Sequence, residues 1–226
     1  YPPFSILYMT AYLDLNTVKL SYPSNFLSKK ECDYLIDYYE KNKARKGLEH
    51  CPEATTGIDT MSSFDVIDVQ YGDKQHKFVS KKIEEMINLY HKHTDKFNMF
   101  HVLWKKQLLY SHKLRLMKYE KGAKIHPHTD HDPYVYGSCT FNLNDDYEGG
   151  EFGFFKNKKT IKLRRGDALI WPADYFWVHE VKPIKKGVRY STNCFLQCLP
   201  QSIVQNLNTF RDVLEKNYKF NPKDGL

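Results

Sequence analysis

Apolar residues recur at helical spacing in two stretches of the N-terminal half of the chain. The first, SKKECDYLIDYYEKNKA, opens with Ser28 and Glu31 in the spacing of a capping box, which marks the start of a helix. The apolar face predicted for this helix consists of Cys32, Leu35, Ile36 and Tyr39. A second helix is predicted near 74–95, with a buried face formed by Phe78, Ile83, Met86, Ile87 and Tyr90.

The stretches around these helices have weaker patterns. Residues 1–27 alternate apolar and polar positions in places, which predicts a short strand and loops. Residues 47–73 mix glycine, proline, threonine and aspartate without a sustained period, so they are interpreted as either a long loop or a loosely paired hairpin. An amphipathic helix is predicted near 202–217, with one face formed by Ile203, Leu207, Phe210 and Leu214.

From about Trp104 the pattern changes to short β-rich runs separated by turn residues. Eight runs are predicted as strands: LRLMKYE, AKIHPHTD, GSCTFNLN, GEFGFF, KTIKLR, DALIWP, WVHEV and VRYSTNCFLQ. Closely spaced short strands are typical of a barrel or a two-sheet sandwich. We expect a mainly β protein with flanking helices. One domain is expected over 1–226, with N-terminal helical support over 1–103, the β core over 104–198 and a C-terminal helix in 199–226.

Composition narrows the class of protein. No stretch approaches the roughly 18 consecutive apolar residues of a membrane-spanning helix, and the +7 net charge is spread along the chain, which favours a solvated surface over a nucleic-acid site. Five cysteines without CxxC spacing disfavour a disulfide framework and a structural zinc site. We therefore expect the cytoplasm or another reducing compartment. The chain begins with Tyr1 rather than Met, so a preceding targeting segment stays open, as does the oligomeric state.

The segment HPHTDHD, residues 126–132, concentrates metal-binding side chains. Side chains two residues apart on a strand point to the same side, so His128 and Asp130 are predicted to face one interior together. His179, on a later β-rich run, is the predicted third ligand. Two histidines and one carboxylate on one face of an ion leave positions open for a co-substrate and oxygen, an arrangement that suits Fe(II). The pattern predicts an oxygenase site.

Arg189 lies on the β-rich run after His179 and has no acidic residue beside it in GVRYS. A buried arginine without a partner costs free energy unless an anion meets it, and its planar fork matches a carboxylate. A dicarboxylate such as 2-oxoglutarate would chelate the metal with its keto-acid end and pair its far carboxylate with Arg189.

With these residues the chain resembles the 2-oxoglutarate- and Fe(II)-dependent dioxygenases, and within them the prolyl 4-hydroxylase family. RLMKYEKGAKIHPHTD, YEGGEFGFF, LRRGDALIWP and HEVKPIKKGVRYSTNCFLQ resemble its strands over about 104–198. The resemblance implies a double-stranded β-helix of the jelly-roll or cupin type. It also implies iron bound by His128, Asp130 and His179, 2-oxoglutarate bound by Arg189, and a Tyr119 hydroxyl that faces the co-substrate.

The implied activity is hydroxylation of an amino-acid side chain, foremost proline in a polypeptide, with ascorbate as reductant. Two positions depart from the family pattern near the substrate: Ile125 replaces a common aromatic and Phe195 a common tryptophan. Tyr134 and Tyr136 follow the ligand segment, where they either close on substrate or are plain exposed turn residues. The segment 47–73 is either a lid over the site or a simple connection.

Two alternative functions remain open on the sequence. A cupin-type metalloprotein that uses no 2-oxoglutarate would bind its metal through a closed set of three histidines and one carboxylate, namely His126, His128, His179 and Asp132, although Pro127 interrupts the strand there. An AlkB-like nucleic-acid demethylase would carry a second arginine six residues after Arg189, where this chain has Phe195. Nucleic acid is thus disfavoured as a partner. A non-catalytic binding protein is disfavoured because all three ligand residues are present.

Overall fold

Both N-terminal helices form where the apolar spacing predicts them. The structure is a computed structural model that describes residues 26–49, 64–95, 110–132 and 134–197. Helix α1 spans Lys29–Asn42 and is followed by a 3₁₀ turn over Lys43–Arg45, and helix α2 spans Lys74–Asp95. Ser28 and Glu31 exchange side-chain and backbone hydrogen bonds, which confirms the capping box.

Twelve strands form within the described residues, all paired antiparallel. They are β1 Gly47–Glu49, β2 Phe64–Asp68, β3 Tyr110–Tyr119, β4 Ile125–His128, β5 Val135–Phe141, β6 Glu148–Gly149, β7 Phe152–Phe154, β8 Lys159–Ile161, β9 Ala168–Pro172, β10 His179–Val181, β11 Ile184–Lys186 and β12 Arg189–Gln197. Each of the eight predicted runs contains a strand. Strands β1 and β2 pair with each other, so the hairpin interpretation of 47–73 is the better of the two.

The strands form one large sheet, one smaller sheet and a short two-stranded ribbon. The large sheet has the order β1-β2-β3-β12-β5-β9, the smaller sheet has the order β4-β10-β7-β8, and β6 pairs with β11. Neighbours in these sheets are distant in sequence, as in β12 beside β3 and β5. The order of the strands in the sheets therefore places segments side by side that are far apart in sequence, which local sequence patterns do not predict.

The large sheet separates a structural core from the interior of the barrel. On one face, Leu116, Ile170 and Leu196 pack with α1 and α2 into a cluster that includes Leu35 and Met86. Alternate side chains of a strand point to opposite faces. The neighbours of these residues therefore face the smaller sheet.

The space between the two sheets is filled mainly with aromatic side chains. Phe152 and Phe154 of the smaller sheet pack with Leu169 and Trp171 of the large sheet. The rings of Phe154 and Trp171 meet edge to face with centroids 6.0 Å apart. These contacts close the smaller sheet over the large one and define the interior in which the site lies.

Several expectations fall outside the described residues. These are the strand before residue 26, the helix near 202–217 and most of the 50–63 connection. The division of 1–226 as one domain stays a prediction. Within the part of the chain that the structure describes, no helix is both long and apolar enough to span a membrane. The described cysteines, Cys32, Cys139 and Cys194, are buried free thiols.

Candidate metal and co-substrate site

Antiparallel register brings the two predicted histidine ligands face to face. His128 is the last residue of β4, and its cross-strand partner is His179, the first residue of β10. Their ring centroids lie 4.3 Å apart. Asp130 lies two residues beyond the end of β4, so a loop rather than the strand carries it, yet its side chain still meets both rings. Together the three residues form a group with one potential ligand atom each, all within 4.8 Å of one another.

The spacing of the ligand atoms fits a single ion. His128 Nε2 lies 3.3 Å from Asp130 Oδ1, and His179 Nε2 lies 3.4 Å from Asp130 Oδ2. Two ligands that bind one ion at right angles, each at about 2.1 Å, lie about 3 Å apart. Asp130 Oδ2 is buried and has no hydrogen-bond partner. A buried carboxylate oxygen without a donor is unusual, and a metal ion would satisfy it.

Backbone hydrogen bonds fix the tautomer of both histidines. His128 Nδ1 lies 2.7 Å from the carbonyl oxygen of His126, and His179 Nδ1 lies 3.0 Å from that of Trp177. A carbonyl oxygen only accepts, so Nδ1 carries the proton in each ring. Each Nε2 therefore presents its lone pair to Asp130 and to an ion between them, as a metal-bound imidazole does.

The protonation states follow from burial and from proximity. Burial lowers the pKa of His179 to about 4, so this imidazole is neutral at pH 7. Burial alone would raise the pKa of Asp130, but His179 and His128 beside it lower that pKa well below its usual range. A neutral His179 imidazole and an ionised Asp130 carboxylate are the protonation states that binding of a divalent cation requires of these two residues.

Aromatic rings shield His179 on its remaining sides. Phe154 stacks on it with centroids 5.6 Å apart, and Trp171 meets it edge to face at 5.0 Å. His179 is only 4% exposed. The hydrophobic contacts hold the ring in one orientation and exclude water from this side of the site.

Arg189 is a buried residue whose two terminal guanidinium nitrogens have no hydrogen-bond partner among the described residues. It is 1% exposed, and its guanidinium carbon lies 5.0 Å from the ring centroid of Tyr119 and 5.2 Å from that of Phe152. Its Nε donates to Asn142 Oδ1 at 3.0 Å. Nη1 and Nη2 are buried without hydrogen-bond partners. Among the described residues no carboxylate pairs with Arg189, so the fork fits an exogenous carboxylate.

Strand β7 links the arginine to the metal cluster. Phe152 contacts Arg189, and Phe154 contacts His179. Phe152 and Phe154 are two residues apart and lie on the same face of β7. Arg189 and His179 therefore contact the same face of β7, in the interior between the two sheets.

The sequence reasoning missed the side chains that orient Arg189. Asn142 accepts from Arg189 Nε and also from the Tyr147 hydroxyl at 3.1 Å, while Asn142 Nδ2 donates to the Asn144 carbonyl at 2.6 Å. Lys162 packs over the Tyr147 ring, with Nζ 4.1 Å from the centroid, and adds a second cation to this region. The one sequence feature that could have indicated this role is Asn142 itself, because asparagine is uncommon within β-rich runs such as TFNLN.

Tyr119 lies beside the proposed co-substrate region, and its role stays a prediction. It is the cross-strand partner of Arg189 and is 1% exposed. Its ring stacks on Phe64 at 4.9 Å, and its hydroxyl donates to Met117 Sδ at 3.4 Å.

The remaining candidate residues lie apart from the three-residue group. His126 is half-buried and Asp132 is exposed, and neither joins the cluster, which disfavours the cupin-type ligand set. Phe195 is half-buried, with the Arg115 guanidinium carbon 5.0 Å from its ring centroid. The position at which an AlkB-like demethylase would carry a second arginine is thus filled by an aromatic contact. Ile125 packs against the aromatic cluster between the sheets.

Comparison with known sequences finds similarity over the strands that form the barrel. Residues 114–197 match the model of the 2OG-Fe(II) oxygenase superfamily. A PKHD-type hydroxylase of Cupriavidus metallidurans is 33% identical over 82 residues, which is 34% of this chain and 35% of that protein. The chain thus matches about a third of the length of this curated relative.

Solved structures resemble the fold. A viral collagen prolyl hydroxylase from Paramecium bursaria Chlorella virus-1, in complex with 2OG, aligns with a TM-score of 0.58 at 19% identity over 80% of this chain and 97% of that one. A Pseudomonas putida prolyl-4-hydroxylase aligns with a TM-score of 0.56 at 16% identity over 84% and 99%. A Trichoplax adhaerens prolyl hydroxylase, bound to a hypoxia inducible factor peptide fragment, aligns with a TM-score of 0.58 at 15% identity over 81% and 86%.

These likenesses confirm the expected double-stranded β-helix, with the large and small sheets as its two layers. The matched segment also contains each of the predicted ligand residues and the buried arginine. Residues 114–197 are therefore similar in sequence to the 2OG-Fe(II) oxygenase superfamily, and the fold is similar to that of solved prolyl hydroxylases.

Proposed function

We propose that the protein hydroxylates a prolyl side chain of a polypeptide, with His128, Asp130 and His179 as ligands to Fe(II). The overall reaction converts substrate R–H, 2-oxoglutarate and O₂ into R–OH, succinate and CO₂. When bound, ferrous iron supplies the centre at which oxygen is activated. The observation that carries the proposal is the convergence of two imidazole Nε2 atoms on the two oxygens of the Asp130 carboxylate, in the same barrel as a buried arginine whose Nη1 and Nη2 have no hydrogen-bond partner.

The protein residues divide the work of binding. His128 and His179 present neutral donors of fixed orientation, because their Nδ1 protons are held by backbone carbonyls. Asp130 supplies the single negative charge beside the divalent ion. One anionic and two neutral ligands leave net positive charge at the metal, which favours chelation of an anionic co-substrate.

Arg189 is proposed to bind the far carboxylate of 2-oxoglutarate through Nη1 and Nη2. Asn142 accepts from Nε on the other side of the guanidinium and thereby fixes the direction of the fork. The rings of Tyr119 and Phe152 keep water away, which strengthens a charge-assisted pair. These contacts support Arg189 as the residue that binds the far carboxylate.

A polypeptide substrate is supported by two of the structural relatives, one a collagen prolyl hydroxylase and the other a prolyl hydroxylase bound to a peptide fragment. Proline is the residue that these hydroxylases share. Ile125 and Phe195 differ from the residues common in the family near the substrate, so the substrate panel includes other residue types.

The test is a turnover assay with Fe(II), 2-oxoglutarate, oxygen and ascorbate, the last added because it returns oxidised iron to the ferrous state. A peptide panel with proline, lysine, asparagine or aspartate as the central residue is analysed by mass spectrometry for a gain of one oxygen, and succinate is measured in parallel. Asp130→Ala serves as the inactive control. We expect an oxygen on proline peptides.

The outcomes separate the parts of the proposal. An oxygen on another residue type would replace proline while retaining the chemistry. If the iron-loaded protein consumes no 2-oxoglutarate with or without peptide, the proposed activity is wrong. Succinate that forms equally well with Asp130→Ala would contradict the ligand assignment.

A further inference from the structure

Exposed aromatic side chains are concentrated beside the candidate metal site. Among the described residues six large hydrophobic side chains are exposed, and four of them are Tyr134, Tyr136, Tyr175 and Phe176, here called the aromatic rim. The first two lie in the segment that follows Asp130. The other two lie in the segment that precedes His179. Exposed apolar surface gathered at one place marks an interaction site more often than scattered residues do.

The two segments form one continuous surface. The ring of His131 lies 3.8 Å from that of Tyr175, centroid to centroid, and the Ala173 N–H donates to the Tyr136 carbonyl at 3.1 Å. His131 directly follows Asp130, and Trp177, next to Phe176, lies two residues before His179. The two segments that carry the aromatic rim therefore adjoin two of the predicted metal ligands.

The exposure of Tyr175 and Phe176 is built into the turn that carries them. The Phe176 N–H donates to Asp174 Oδ1 at 2.9 Å, and the Trp177 N–H donates to the Asp174 carbonyl at 3.1 Å. Trp177 is buried and anchors the turn in the aromatic cluster between the sheets. With the turn fixed at both points, Tyr175 and Phe176 remain 69% and 75% exposed. The hydrogen bonds of this turn therefore hold the rings of Tyr175 and Phe176 at the surface.

The charge of the rim is opposite to that of the protein. The segments HDPYVY and ADYFWV contain two aspartates and one histidine but no lysine or arginine, although the chain has 34 lysines and arginines and a net charge of +7. Asp132 and Asp174 are both exposed. Aromatic faces attract cations through the ring quadrupole, and neighbouring carboxylates add to that attraction. The combination selects for a cationic side chain.

We propose that the aromatic rim binds a lysine or arginine side chain of the substrate, so that the enzyme prefers a basic polypeptide segment. This inference rests on the proposed function, since it assumes that the polypeptide reacts at the metal. An extended chain advances about 3.3 Å per residue. The cationic residue is therefore expected within about three residues of the one that is hydroxylated.

The test compares peptides that differ only in flanking charge. Each carries a central proline, and the positions two and three residues to either side are lysine, serine or glutamate. We expect kcat/KM for the lysine peptide to exceed that for the serine peptide by about tenfold, with the glutamate peptide below both. Fluorescence anisotropy on the anaerobic, Fe(II)- and 2-oxoglutarate-loaded protein gives the same comparison for binding.

Two rim variants locate the preference. Asp132→Asn combined with Asp174→Asn removes both charges while the new amide still accepts from the Phe176 N–H, and it should reduce the lysine-to-serine ratio to within about twofold. Tyr175→Ala combined with Phe176→Ala should reduce it similarly. Asp37→Asn and Tyr34→Ala alter an exposed acid and an exposed aromatic on α1 instead, and they should keep the wild-type ratio.

The results distinguish this inference from the proposed function. If no 2-oxoglutarate is consumed with any peptide or without peptide, the proposed function fails. If peptides are hydroxylated or bound but lysine, serine and glutamate peptides agree within twofold, the rim proposal is overturned and the proposed function stands. A lysine preference that survives both rim variants would also overturn it, because the cation then binds elsewhere.

Discussion

Replacing Arg189 with alanine is expected to separate co-substrate binding from metal binding. In the wild-type protein, Nη1 and Nη2 are buried without partners and are proposed to form a bidentate pair with the far carboxylate of 2-oxoglutarate. Truncating one partner of a buried charge pair costs about 2–5 kcal/mol. At about 3 kcal/mol, the Kd for 2-oxoglutarate rises by about 150-fold. The ligands of the metal are untouched.

Thermal unfolding of the anaerobic, Fe(II)-loaded protein measures this loss. A ligand present at 100 times its Kd stabilises the folded state by about 2.7 kcal/mol, whereas at 150-fold weaker affinity the same concentration adds only about 0.3 kcal/mol. For a chain of this size 1 kcal/mol shifts Tm by about 2–4 °C. The 2-oxoglutarate-dependent rise in Tm should thus fall from about 5–11 °C to about 1 °C.

Arg115→Ala is the matched control. Arg115 is also a buried arginine of the large sheet, but it donates to Asn193 at 3.1 Å and packs over Phe195. Its loss should lower the baseline Tm and leave the 2-oxoglutarate-dependent rise intact. The reasoning is refuted if Arg189→Ala keeps the full rise, or if its affinity for Fe(II) falls as far as its affinity for 2-oxoglutarate.

Three further substitutions test the ligand set, the arginine pocket and the packing of helix α1. His179→Ala should abolish succinate release in the turnover assay, because only two protein ligands remain. Gly150→Ala, at a φ of +69°, places a Cβ 2.7 Å from Ile184 Cδ1, 3.0 Å from Tyr147 Cε2 and 3.2 Å from Arg189 Cδ. We expect a loss of about 1–3 kcal/mol of unfolding free energy and, because Tyr147 and Arg189 must shift, weaker 2-oxoglutarate binding by thermal shift. Tyr190→Phe removes a 2.6 Å hydrogen bond that holds the pKa of Glu40 below its usual value of 4.5. A carboxylate whose pKa is lowered on folding stabilises the fold at pH values above its unfolded-state pKa, and this stabilisation is lost as the pH falls through its folded-state pKa. The expected loss of about 1–2 kcal/mol of unfolding free energy at pH 7 should therefore be smaller at pH 3, as measured by urea unfolding.

Two of these substitutions have a counterpart that should behave differently, and the third is checked by its pH dependence. His126→Ala keeps the backbone carbonyl that accepts from His128, so turnover should persist, and its loss would argue for a fourth ligand. Gly122→Ala has the same backbone strain at a φ of +88° with no atom within 4 Å, so it should leave 2-oxoglutarate binding unchanged. For Tyr190→Phe, an equal loss of stability at pH 3 and pH 7 would contradict the role assigned to Glu40.

The sequence predicted those parts of the fold that depend on local periodicity. The capping box at Ser28 and the apolar stripe that includes Leu35 specify α1 without reference to the rest of the chain. The eight β-rich runs each contain a strand because alternation and turn residues are local signals. Strands β6 and β11 were missed, since two or three residues are too few to display a period and only their mutual pairing makes them strands.

The candidate site was predictable to the extent that its residues carry a chemical signal. His128 and Asp130 are close in sequence, and the later histidine and arginine follow from a recognisable order. Asn142 was not predicted, because its contact with Arg189 depends on which strands become neighbours in the sheet. Strand neighbours are set by long-range pairing, about which a single sequence holds little information.

Main-chain carbonyls determine which ring nitrogen carries the proton in both predicted imidazole ligands. In each case Nδ1 bonds to the carbonyl two positions earlier, the one belonging to His126 or to Trp177. Every amino acid offers that same acceptor, so the residues flanking each ligand are free to diverge without moving that proton. The side chains around the predicted metal site can therefore change, and with them the surface that meets a substrate, while the tautomer of both histidines stays the same.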